Sequence, residues 1–160
     1  MAEANTSGLY VAQEQRSVIG AAIAGVFVGL AGWMLNLALQ AWIIEPFFCR
    51  SPETFAVCSN GGTVAWTAAV IFASIIGLIA LVRSGVFRPL LVVIATLIAL
   101  WGVAAWLGPL VWWQALLWHG ILFAVAYSLF SWIARISSFL VALIITIVVI
   151  VLARLVVINS

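Results

Sequence analysis

The sequence predicts an all-α, polytopic integral membrane protein, a bundle of five transmembrane helices with the N-terminus in the cytoplasm and the C-terminus outside. Three observations predict it. Of 160 residues, 68% are hydrophobic and 6% charged, against about a quarter charged in an average soluble domain. The few charges divide the chain into long uncharged blocks. Those blocks lack the alternation of barrel strands, and in lipid every backbone N–H and C=O must be paired internally, so helices remain. The charged set is 6 Arg and 4 Glu, a net +2 too small and too scattered to draw in nucleic acid.

The first block gives a span over about 18–44, preceded by a cytoplasmic tail, 1–16, read as mobile or as an interfacial helix. The second gives 63–82. The third, 89–134, would run ~69 Å as one helix, far beyond a ~30 Å hydrocarbon core. Gly108 and Pro109 lie near its middle, where Pro ends one helix and starts another. It therefore reads as a hairpin, 89–107 and 111–133. The fifth span is 137–157. Its β-branched run would favour a strand in water, but length and backbone pairing decide in lipid. Residues 17–160 form one domain with an outer loop at 45–62.

Arg16, Arg83, Arg88 and Arg135 fall on one side of this topology, which the positive-inside rule makes cytoplasmic. Cys49 and Cys58 then share an outer loop, on the oxidising side where disulfides persist. A bridge closing that loop stabilises it by roughly 2.5–3 kcal/mol on the chain-entropy account. The expected location is the plasma or inner membrane of the cell.

Gly25, Gly29, Gly32, Asn36 and Gln40 recur every three or four residues along one side of the first span. Gly25 and Gly29 form a GxxxG pair, which lets a neighbouring backbone approach closely. Val28, about 100° around the helix, is expected to fall away from that seam. His119 is the only histidine and sits inside the fourth span, where it can meet the amides of the first. Gln114 and Tyr127 are further polar candidates on that span. Most tryptophans cluster near the predicted outer ends, as an aromatic belt or as a wall for a flat lipid, quinone or pigment. A shift of 52 positions aligns Trp66 with Trp118, Arg83 with Arg135 and Phe87 with Phe139. It reads as a duplicated hairpin or as the pattern any membrane hairpin shows.

No HExxH, no GxSxG and no paired intramembrane carboxylates occur, so hydrolysis is not expected and no catalytic residue is assigned. One histidine cannot make a normal metal site, so no metal or cofactor is predicted. The leading expectation is a small non-enzymatic membrane subunit that packs with itself or within a larger complex, in contact with the bilayer. The second is a channel or carrier for a neutral or weakly polar solute, lined by Asn36, Gln40 and His119. The third is a thiol oxidoreductase using Cys49 and Cys58.

Overall fold

A computed structural model describes residues 3–49 and 60–159. Every regular element among the described residues is helical. Helix α1 (Glu3–Leu39) runs directly into a π-helical segment, Gln40–Phe48. Then come α2 (Gly61–Arg83), α3 (Pro89–Ala99), α4 (Val103–Leu107), α5 (Trp112–Ile133) and α6 (Phe139–Asn159). Three stretches are long and apolar enough to cross a membrane: Val18–Phe47, Gly61–Arg83 and Trp112–Ile133. Pro89–Ala99 and Phe139–Ala153 are shorter apolar helices. By length and composition the chain is a multi-pass membrane protein.

The elements depart from the expected spans in three places. The expected tail is helical from Glu3 and continuous with the first span, because good helix formers such as Ala4, Ala12, Gln13 and Glu14 let the helix propagate backwards. At the other end, the helix does not stop at the expected loop start near Glu45. Pro46 has no N–H to give, and the wider i→i+5 ladder carries the backbone past it to Phe48. The third difference is a break in the stretch expected as one helix, 89–107. Helix α3 ends at Ala99, and Gly102 turns the chain with φ +88°, a conformation that residues with a Cβ rarely adopt. The Val103 N–H donates to the Leu100 carbonyl at 3.1 Å, and α4 restarts there. The turn expected at Gly108 and Pro109 does separate α4 from α5.

Helix α1 lies between α2 and α5, α3 leans on both of those, and α6 rests on α3 and α5. The packing is small against large. Ala21, Ala24, Ala69 and Ala73 supply shallow surfaces on α1 and α2, and Phe123, Tyr127 and Phe130 fill the space from α5. Contacts of this shape supply the attraction between helices in lipid, where apolar burial alone gives no drive. Helix α6 buries Ala142 and Thr146, while Leu140, Ile144, Val148 and Leu152 stay exposed, as side chains facing lipid do. Several hydroxyls turn back to their own helix: Ser74 to the Val70 carbonyl at 2.6 Å, Ser128 to Ala124 at 2.7 Å and Thr146 to Ala142 at 2.8 Å. Buried Thr96 is different, since its hydroxyl oxygen has no hydrogen-bond partner.

The two turns that end α2 and α5 lie together, at what we call the arginine end. Arg88, in the left-handed region at φ +54°, reaches between them. Its Nη1 donates to the Ile136 carbonyl at 3.4 Å. Its guanidinium lies 5.1 Å from the Phe139 ring centre and 5.7 Å from that of Phe87.

The helix limits do not follow the 52-residue alignment. Helix α5 starts 51 positions after α2 and ends 50 after it, and α6 starts 50 after α3. The aligned tryptophans differ as well, for Trp66 is buried and Trp118 exposed.

Candidate functional site: a cavity at the tryptophan end

At the opposite end, between α1, α2 and the α4–α5 hairpin, the helices leave a cavity of about 520 Å³. That volume lies within the range of small-molecule sites. Helix α1 and the π segment contribute Trp33, Asn36 and Gln40, one turn apart and so on one side. Helix α2 contributes Thr63, Trp66 and Thr67, again at helical spacing, and α5 contributes Trp112, Ala115 and His119. The break between α3 and α4 closes the remaining side with Trp101, Gly102 and Leu107. Non-helical backbone at membrane depth is tolerated where it lines a cavity in this way. Exposed Trp112, Leu110 and Gly108 bring the cavity to the molecular surface.

The polar atoms of this site are not all paired. His119 is buried, and its Nδ1 lies 2.7 Å from the Ala115 carbonyl. A carbonyl only accepts, so Nδ1 carries the proton and Nε2 is an acceptor. That Nε2 is shut off from water and has no partner. The ring of Trp66 stands over the imidazole, with centres 4.7 Å apart and planes at 58°. Asn36 Oδ1 is likewise buried without a partner. Thr67 donates its hydroxyl hydrogen to the Thr63 carbonyl at 2.8 Å, so its oxygen also offers lone pairs. An unmade bond at a buried polar atom costs about 1–3 kcal/mol, and two such atoms in one small site mark it out from the rest of the bundle.

The five residues predicted along one side of α1 divide among three neighbours. A Cβ on Gly25 would stand 2.5 Å from the Phe123 carbonyl oxygen, and one on Gly29 would stand 2.5 Å from that of His119. Both glycines therefore lie directly on the α5 backbone. Gly32 turns instead towards α2, with the Ala73 Cβ 3.7 Å from where its own would be. Asn36 and Gln40 reach the cavity. Val28 does not fall away from the packing. It is buried, and its Cγ2 lies 2.6 Å from where a Cβ on Gly77 would be. The reason is that α1 is packed on two sides, so 100° of rotation leads from α5 to α2. His119 shares the cavity with Asn36 and Gln40, but its Nδ1 bonds its own helix and not an amide of α1. Tyr127 is fully buried against Gly77, away from the cavity, and half-buried Gln114 does not line it. Cys49 follows the π segment, and its predicted partner Cys58 lies outside the described residues. Among the described residues no three His, Cys, Asp or Glu side chains come together.

Trp33, Trp66 and Leu107 were not singled out by sequence as lining a polar site. The signal for two of them was present, since Trp33 precedes Asn36 by three residues and Trp66 precedes Thr67 at the same end of the next helix. Fold and site together define a multi-pass helical membrane protein with a polar, tryptophan-walled cavity at one end. No protein family, curated protein or solved structure matches the chain.

Proposed function

We propose that this protein is a small non-enzymatic carrier for a neutral or weakly polar solute. The observation that supports it is the cavity itself, where Asn36 and His119, each with one buried unpaired atom, share a pocket of ligand size with four tryptophans. Below His119 the glycine seam brings α1 onto α5 with no room for a solute. A site open at one end and closed beneath suits a carrier better than an open pore. The seam also bears on the alternative, a subunit whose task is to pack with other proteins. Gly25 and Gly29 are already occupied by α5 of the same chain, so they offer nothing to a second copy or a larger complex.

In the arrangement we propose, α3 with α4, and α6, complete five crossings, and the arginine end faces the cytoplasm. The tryptophan end, with the cavity mouth and the loop holding Cys49 and Cys58, then faces outside. We propose a disulfide between these cysteines, with no thiol turnover.

Proteoliposomes loaded with a panel of uncharged solutes of rising size test the proposal. Saturable flux of at least one solute, abolished by Leu107→Trp, which sets a bulky indole in the cavity wall, is the expected result. Flux that rises linearly with concentration for every solute, equal to empty vesicles, overturns it. Orientation is tested separately by labelling intact cells through single cysteines in a cysteine-free background. Asn60→Cys should react with an impermeant reagent and Ser84→Cys should not.

A further inference from the structure

The bonding state of the cavity's polar atoms restricts its ligand, and this inference rests on the carrier reading above. We infer that the solute is an uncharged aromatic or ring compound that presents a hydrogen-bond donor, a hydroxyl of phenol type, to His119 and Asn36. The first ground is the sign of the unpaired groups. His119 donates through Nδ1 to the Ala115 carbonyl, which leaves Nε2 as an acceptor. Asn36 Oδ1 is an acceptor by nature, and Thr67 has already given its hydrogen to Thr63. All three residues line the cavity, and a ligand bearing only carbonyl or ether oxygens would leave these acceptors unpaired. A hydroxyl hydrogen supplies one bond to them, shared between two at most.

The second ground is the wall. Trp33, Trp66, Trp101 and Trp112 border the space, and flat indole faces favour a flat ring over a chain or a globular sugar. The third is charge. Among the described residues no Glu or Arg lines the cavity, so among them neither an anion nor a cation finds a counter-charge where an unpaired ion is expensive. Nε2 is buried, and the Trp66 ring centre lies 4.7 Å from that of the imidazole. Ligand entry therefore turns that indole aside and exposes the acceptor, with the bound ring taking its place against the imidazole.

The matched pair 2-naphthol and 2-methoxynaphthalene isolates the donor, since the two share a ring system and differ in whether the oxygen carries a hydrogen. Binding to the full chain in lipid nanodiscs is measured by calorimetry, with the non-saturable part assigned to lipid partition. 2-Naphthol should bind saturably, and its methyl ether at least about tenfold more weakly, which is the loss of one buried hydrogen bond of roughly 1.4 kcal/mol. His119→Phe keeps a ring beneath Trp66 but removes the acceptor, so in that variant the gap between the two compounds should close. Asn36→Leu should narrow it while His119 remains. Equal saturable binding of both compounds to the unaltered chain, or a gap that persists in His119→Phe, overturns the donor inference and leaves a solute cavity of other preference. Saturable binding of neither compound overturns the inference as well. In that case solute flux in proteoliposomes, blocked by Leu107→Trp, still decides separately whether the protein is a carrier.

Discussion

At the arginine end, one guanidinium bridges two turns, and Arg88 gives a hydrogen to Ile136 while it faces the rings of Phe87 and Phe139. At the tryptophan end, the same helices part around some 520 Å³, and two buried acceptors there have no partner. The helices are the same; what differs is what lies between them. Towards the arginine end they meet through glycine, alanine and aromatic side chains cut to fit. Towards the tryptophan end, bulky indoles and a broken helix hold them apart. On the proposed reading, stability resides in one half of the bundle and recognition in the other, and substitutions in the two halves should separate these properties.

The most severe test of the closed half is Gly29→Ile. A Cβ there already meets the His119 carbonyl oxygen, and overpacking costs about 1–3 kcal/mol, towards or beyond the upper figure where backbone must move. Detergent melting should show a large drop in Tm or no folded protein. Phe27→Ala, on a side chain 67% exposed, should melt close to the unaltered chain, and equal losses in the two would erase the distinction between seam and lipid face. Arg88→Ala comes next. It removes one hydrogen bond and two cation–π contacts, for a loss of about 1–2 kcal/mol, read as a lower denaturation midpoint with solute binding unchanged. A variant that binds less but melts normally would link the two ends, contrary to the comparison.

Smaller effects sharpen the same contrast. Thr96→Val replaces an unpaired buried hydroxyl with a methyl of similar size. It should stabilise the bundle by about 0.5–1 kcal/mol, because removal of an unsatisfied group is neutral or favourable, and a fall in Tm would reveal a partner for that oxygen. Asn36→Leu should leave melting unchanged or raise it by up to about 0.5 kcal/mol, since Oδ1 makes no bond to lose and, like the Thr96 hydroxyl, is unpaired. Solute flux should nevertheless fall to background. Loss of stability with flux retained would make Asn36 a packing residue and dissolve the division of labour between the ends.

The spans were legible in the sequence where the bilayer imposes length and hydropathy. The blocks read as 63–82 and 111–133 match Gly61–Arg83 and Trp112–Ile133 to within two residues. The break at Gly102 was not legible, because a glycine in an apolar run is common in membrane helices and only the surrounding packing selects its positive φ. The side of α1 that carries Gly25, Gly29 and Asn36 could be read from spacing. Which neighbour each would meet could not, since that depends on crossing angles that no local pattern encodes. Val28 shows the limit most clearly, for a helix packed on two sides has no single seam to fall away from. The cavity was harder still. It exists because α1, α2 and α5, packed together elsewhere, part at one end beside α4, and a local parting of several segments has no signature in any one of them.

The depth of the cavity has an electrical consequence. Its lowest residue on α5 is His119, about 10 Å of helix rise below Trp112. Solvent in the cavity carries a high dielectric down to that level. With the five crossings in place, a transmembrane voltage falls mainly over the rest of α5, about 21 Å, instead of the full core of about 30 Å. The local field there is about 1.4 times that in plain bilayer by the same lengths. Between positions 120 and 133 on α5, and between 18 and 32 on α1, the chain holds no charged residue. On the proposed reading, the strongest field in the molecule thus acts on a stretch of α1 and α5 that holds no charge to move.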